Sequence, residues 1–399
     1  MPAKRAIQIK QVVKAPPREV YRAFTNSTAL REWFCDAAQA DPVKGGRLYA
    51  WWNGGFYGTG EYLSAKPDKQ VAFTWFGRGE PGPTRVQVRL RVRKGGTEVA
   101  LAHSGLGSGK KWTAAAKEFE RSWKTGLENM ASVLETGEDL RFVMRPMLGI
   151  MFDEYNAEIA ARLVAPAEGV RLSGTVEAMG ARAAGLQNDD VIVSLGGRKV
   201  KGYPTLISAL QRRRAGDRVK VVFFRGGEKK TVEMELSRRP MPAIPPTAQE
   251  LAEAVRKVYE EGDRELAACF EGVTEAEASH SPAPADWSAK EVLAHLVHGE
   301  RDNQLWIADL VSGHERWYDG GSNVHARNQA TVAVLPTVGA LMDEFKRSEE
   351  ETLALLRALP PEFVARKGSY WRLAHNYLQG ISHTHEHAAQ IRAAIQAVR

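Results

Sequence analysis

The chain has 399 residues, 43% hydrophobic and 26% charged, enough for two or three globular domains that each bury a core. No stretch approaches the roughly 18 consecutive apolar residues of a membrane span, and the charged start MPAKRAIQIK carries no apolar run, so the expectation is a cytoplasmic protein without a membrane partner. The net charge of +7 is uneven: +8 over residues 1–140 (22 Lys/Arg against 14 Asp/Glu), +7 over 141–245 (18 against 11) and −8 over 246–399 (15 against 23).

The first segment predicts strands followed by a long helix. IQIKQVV alternates with period two, and PPREVYRAFT follows with helical spacing behind its prolines. GGRLYAWW, GFYGTGEYL, KQVAFTWF, RVQVRLRV and TEVALAHSG then read as strands, separated by Gly, Pro, Asp or Lys. Arg85, Arg89, Arg91 and Arg93 are dispersed along one of these strands, the look of a solvated strand face, so nucleic acid is not an expected partner. From Trp112 to about Gly137, Phe119, Trp123, Leu127, Met130 and Leu134 fall at spacings of three and four, which predicts one amphipathic helix against an antiparallel sheet. These segments, with APPREVYRAFTNSTALREWF, DPVKGGRLYAWW and the Trp-bearing last helix, resemble the START-related SRPBCC superfamily, in the branch named after the activator of a heat-shock ATPase. The resemblance implies a helix-grip fold around an apolar cavity that takes a small ligand or a client protein. Trp51, Trp52, Phe73, Trp75 and Trp123 are the candidates to line that cavity; the alternative is that they are plain core.

Residues 143–238 contain MLGIMF, GVRLSGTVEAMGARAAGLQNDDVIVSLGGRKV, a helical TLISALQRR and two closing strands, RVKVVFF and KKTVEMEL. The AGL, DDVI and Gly196-Gly197 series resembles a PDZ domain of the bacterial protease-associated kind. Asn188 stands where most such domains have glycine, a residue that tolerates the left-handed backbone expected there. The resemblance implies capture of a peptide C-terminus at an exposed sheet edge, with backbone N–H groups near Leu148, Gly149 and Ile150 receiving the carboxylate and Leu206 and Leu210 walling the groove. The alternative is that Gly149 merely ends a strand.

RRPMPAIPPT marks a stiff linker, and Thr247 is a candidate N-cap for the helix that follows. Amphipathic stretches at 248–270, 288–312, 337–358 and 371–397 predict an all-α four-helix bundle, with Ser288 capping the second. His383 and His387, four apart, share one helix face; His385 points away from them. On the second helix His295 lies on the Leu293/Leu296 side and His298 is offset towards the polar side.

WSAKEVLAHLVHGE followed much later by SHTHEHAAQI resembles the DinB-like bundle superfamily. Position by position, that resemblance implies His295, His383 and His387 as ligands of a divalent metal, zinc or nickel, in an open site. Histidines buried without metal, or His298 in place of His295, are the alternatives. Glu300, Glu386 and Gln390 are candidates to orient the ligand rings. The expected architecture is a multidomain α+β chain: a START-like domain over 1–140, a PDZ domain over 141–239, a linker over 240–247 and the bundle over 248–399. Two functional readings follow, a stress-related adaptor that binds peptide and apolar ligand, and a metal-dependent thiol S-transferase or hydrolase. The separation of Cys35 from Cys269 favours two reduced thiols over a disulfide.

Overall fold

The computed structural model describes residues 6–211, 213–316 and 324–399, so the first five residues of the charged start lie outside the described residues. The chain forms two compact units, one made of the residues up to Asp139 together with Pro242–Arg399, the other of Leu140–Met241.

The larger unit begins with β1 (Ile7–Val13), α1 (Pro17–Thr25), α2 (Ser27–Trp33), β2 (Ala37–Ala40), β3 (Arg47–Trp51), β4 (Tyr57–Lys66), β5 (Gln70–Gly77), β6 (Thr84–Arg93), β7 (Gly96–Ser104) and α3 (Lys110–Thr136). The strands make an antiparallel sheet in the order β1-β7-β6-β5-β4-β3-β2. Alternation sorts the side chains: on β6, Thr84, Val86, Val88 and Leu90 are buried while Arg85, Arg89 and Arg91 face out, the solvated face expected of that run. Along α3, Phe119, Trp123, Leu127, Met130 and Val133 form the buried stripe that packs on the sheet. The short strand β2 and the break between α1 and α2 had no periodic signal, because four residues span barely two repeats.

The smaller unit holds α4 (Leu140–Val143), β8 (Ile150–Phe152), α5 (Ala157–Arg162), β9 (Val170–Thr175), α6 (Gly180–Ala183), β10 (Val191–Leu195), β11 (Arg198–Lys199), α7 (Tyr203–Leu210), β12 (Arg218–Arg225) and β13 (Glu228–Glu235). Its sheet runs β13-β12-β10-β9-β8, with β11 on β10. The buried Asp190 anchors the β9–β10 turn, accepting from Gln187 N at 2.8 Å and from Arg225 Nε and Nη2 at 2.7 Å each. The left-handed residue of that turn is Asp189 (φ 64), one position after Asn188, which corrects the sequence expectation.

The larger unit resumes with α8 (Ala248–Cys269), α9 (Glu275–Ser279), α10 (Ala289–Ser312), α11 (His325–Val334), α12 (Val338–Arg357), α13 (Pro361–Val364), α14 (Lys367–Leu378) and α15 (Ile381–Gln396). Thr247 and Ser288 cap α8 and α10 as expected, the latter in a reciprocal box with Glu291. The stretch 371–397, read as one helix, is two, parted at Gln379-Gly380 where a tight turn returns Gly380 N to Tyr377 O. Helices α8, α10, α12 and α15 pack together as the bundle. Its apolar core comes in two halves, one around Leu251, Ile307, Leu353 and Leu373, the other around Leu266, Leu293, Leu341 and Ile391. By sequence position on α8, α10 and α12, a polar layer of Tyr259, Asp263, Glu300, Glu349 and Thr352 lies between these halves. Among the described residues, no helix is long and apolar enough to cross a membrane.

Candidate metal centre and binding surfaces

His295 projects from the first half of α10, and His383 and His387 from one face of α15; α10 and α15 pack together. One ligand atom from each of the three rings lies within 4.8 Å of the others, although His383 and His295 are nearly ninety positions apart in sequence. The Nε2 atoms of His383 and His387 face each other at 3.1 Å. Two zinc-bound nitrogens at 2.0–2.1 Å in tetrahedral geometry stand roughly 3.4 Å apart, so this pair already has the spacing of two ligands on one ion. The 4.8 Å span of the whole trio means that ligation would draw the set closer. His387 Nδ1 lies 2.9 Å from Gln390 Oε1, and a proton on Nδ1 donated there leaves Nε2 free to ligate. Of the three candidates to orient a ring, Gln390 therefore does so. Glu300 turns instead to Tyr259 and Thr352, whose hydroxyls donate to its Oε2 at 2.9 Å each.

Burial, reinforced by the neighbouring His387, pushes the His383 imidazole below its ordinary pKa, against the pull of Glu386. Such a ring stays neutral, as a metal ligand must. His383 is nonetheless exposed, and His295 and His387 are half-buried, so the trio opens to solvent on one side. Trp287 packs beside His295 with ring centres 5.1 Å apart. His385 points away as expected and pairs with Glu265. The expectation for His298 is corrected: it is buried rather than polar-facing, with Nε2 3.0 Å from Thr331 Oγ1, because α11, which the helix pattern did not reveal, covers that face.

In the smaller unit the outer edge of β8 is unpaired among the described residues, as it stands last in the sheet order. Gly149, just before β8, has φ 75, and a Cβ there would come within 2.2 Å of Met179 Cβ. That steric demand is a second reason for glycine besides access to an anion. Leu148 and Leu206 are sealed in the core and Leu210 packs against it, so the expectation that Leu206 lines an open groove wall is corrected. The exposed apolar side chains on β8 and α7 are Met151, Phe152, Tyr203 and Ile207. Phe152 and Tyr203 stack at 4.6 Å beside a pocket of about 440 Å³ that also reaches Tyr155, Val170 and Lys201. Tyr203 and Phe152 carried no motif in the sequence.

In the first module, Trp52, Trp75 and Trp123 meet around Phe34, which stacks on Trp123 at 5.6 Å and meets Trp52 and Trp75 edge-on at 5.0 and 6.0 Å. Phe73 lies deeper beside Tyr62, and Trp51 ends β3 opposite Ala37 and Tyr57. His103, fully buried in the same module, carried no motif in the sequence. Trp123 Nε1 donates to its Nδ1 at 3.0 Å, its Nε2 lies 2.8 Å from Thr84 Oγ1, and that hydroxyl donates to Trp75 O at 3.0 Å. Both ring nitrogens of His103 and the Thr84 hydroxyl thus have a partner when the ring is neutral, and burial pushes the imidazole pKa down to about 4. The period-two run Val99, Leu101, His103 placed it on the inward face.

Family models match the chain in three consecutive stretches: activator of Hsp90 ATPase homolog 1-like protein over residues 14–135, PDZ domain over 146–236, and DinB superfamily over 258–391. The chain carries three known modules in series. Over 105 residues it is 29% identical to a probable periplasmic serine protease do/HhoA-like of Haemophilus influenzae, a match that spans 26% of this chain and 22% of that protein. Similar solved structures include the Aha1 dimer from Colwellia psychrerythraea (22% identity, 33% of this chain and 96% of that one, TM-score 0.30). An HSP90 activator from Plasmodium falciparum is another (21% identity, 32% and 95%, TM-score 0.29).

Proposed function

We propose that the protein is an adaptor of the stress-related kind, with modules bounded near 140, 240 and 247. Its PDZ module captures a peptide C-terminus, its START-like module holds an apolar ligand or client protein, and its bundle carries one divalent metal, zinc or nickel, on His295, His383 and His387. The observation that carries the metal assignment is the convergence of three imidazoles from two helices, with Gln390 fixing the tautomer of one. Peptide capture is supported by the unpaired β8 edge beside the exposed Met151, Phe152, Tyr203 and Ile207, which offers backbone pairing and apolar contact together. Leu148, Gly149 and Ile150 would receive the carboxylate through their backbone, with the helix that carries Leu206 and Leu210 forming the other wall of the groove. Trp51, Trp52, Phe73, Trp75 and Trp123 would border the apolar ligand. Two buried free cysteines fit a reducing, cytoplasmic setting; the matched protease, named as periplasmic, points the other way.

A second reading, a metal-dependent thiol S-transferase or hydrolase, is favoured by the exposure of His383, which leaves room for water or substrate beside the three ligands. When bound, the ion would lower the pKa of a coordinated water or thiol. The chain's own part is to bring three imidazoles together, with Gln390 Oε1 placed to accept a proton held on His387 Nδ1. The experiment pairs elemental analysis of the purified chain with His387→Ala. Loss of metal with an intact helical spectrum supports a centre kept for function; metal retained in the variant would overturn the assignment. Metal-dependent turnover of a model electrophile with added thiols would decide for the enzyme, and tight binding of a C-terminal peptide without turnover for the adaptor.

A further inference from the structure

The START-like module and the bundle are separated in sequence by the whole PDZ module, yet they belong to one compact unit. Their apolar cores stay distinct: one cluster is drawn wholly from residues before Asp139, the others from residues after Pro242. What joins them is a set of buried charges. Glu315, which follows α10, has a side chain only 3% exposed, and it lies 3.1 Å from Arg31 Nη1 on α2 and 2.9 Å from Arg372 Nη1 on α14. Trp306 Nε1 donates to the same carboxylate at 2.9 Å, and Glu315 N donates to Thr28 Oγ1 at 2.9 Å. A second buried carboxylate, Glu32 on α2, lies 3.6 Å from Arg22 and accepts from Ser369 Oγ on α14.

Backbone contacts complete the seam. Asn26 Nδ2 donates to Gly313 O at 2.9 Å, and Lys367 Nζ donates to Glu135 O. The helices approach closely because Gly368 carries no side chain: a Cβ there would come within 2.6 Å of both Glu32 Oε2 and Val133 Cγ1. Burial alone would raise the pKa of Glu315, but Arg372 and Arg31 outweigh it and hold the carboxyl below its ordinary value. A carboxylate this buried is costly unless both guanidinium groups stay in place, and the two come from different modules.

We propose that the START-like module and the bundle form one obligate body, clasped by Glu315 between Arg31 and Arg372, with the PDZ module threaded into the chain between its two halves. The clasp joins α2, whose last turn leads to Phe34 in the aromatic group, to α14, which leads through Gly380 into the helix of His383 and His387. The partner that covers the α2–α3 face is thus this chain's own last module.

The test is pulse-labelled hydrogen exchange of the full-length chain across a urea titration, read segment by segment. In the wild type, α2 and α3 are expected to lose protection at the same midpoint as α10 and α14. Glu315→Gln keeps the shape, removes the charge and is expected to split that midpoint in two. Thr28→Val, which removes a single hydroxyl at the seam, serves where Glu315→Gln fails to fold, and is expected to split the midpoint in the same direction by a smaller margin. Glu350→Gln, which breaks the exposed Arg256 pair within the bundle, is expected to leave the coincidence intact. Distinct midpoints in the wild type, or a single midpoint retained in both seam variants, would overturn the proposal.

Discussion

Glu349 sits on α12 in the polar layer of the bundle, 5% exposed, and burial together with Asp263 and Glu300 pushes its carboxyl up to about 9. The native side chain is therefore neutral at pH 7, while in the unfolded chain it ionises near its ordinary 4.5. Between those values the folded protein binds a proton that the unfolded protein has lost, so stability falls as pH rises through the window. At about 1.36 kcal/mol per pH unit, the penalty is about 3 kcal/mol at pH 7 and grows towards pH 9. Glu349→Gln imitates the neutral acid and carries no proton to lose. The variant is expected to match the wild type near pH 4.5 and to exceed it by about 3 kcal/mol at pH 7. Urea denaturation followed through the helical signal, at half-unit steps from pH 5 to 9, measures the difference. Parallel stability curves for the two proteins would refute the reasoning, because they would mean that Glu349 ionises alike in both states.

His103 gives the opposite slope. Its folded pKa of about 4 lies below the ordinary 6.5, so the stability it confers is complete above pH 6.5 and lost as pH falls towards 4, about 3 kcal/mol in all; comparison with His103→Gln at pH 6.5 and 4.5 reads that loss. Gln390→Leu removes the acceptor for His387 Nδ1 and is expected to weaken metal affinity by about tenfold or more, measured by competition with a chelating dye. Tyr203→Ala breaks the stack with Phe152 and is expected to weaken binding of a library-selected C-terminal peptide by about tenfold, measured by fluorescence anisotropy; an unchanged affinity would place the peptide elsewhere.

The elements with a clear period were legible from the letters. IQIKQVV, RVQVRLRV and TEVALAHSG became β1, β6 and β7, and the three-and-four spacing of Phe119, Trp123 and Leu127 became α3. His383 and His387 were legible from a spacing of four on one helix and His295 from the family resemblance; the three converge because α10 packs against α15. Features set by tertiary covering escaped. His298 looked polar-facing until α11 folded over it, and Leu206 looked available for a groove before the PDZ core enclosed it. Arg31, Glu315 and Arg372 carried no signal, since no local pattern brings together residues almost three hundred positions apart.

An X-ray absorption spectrum of the full-length chain loaded with one equivalent of zinc probes the three-histidine centre most directly, because imidazole rings leave a distinctive multiple-scattering signature. The expected result is three imidazole nitrogens at about 2.0–2.1 Å, falling to two in His295→Ala. A shell of oxygen donors without imidazole, unaltered by that substitution, would contradict the metal assignment.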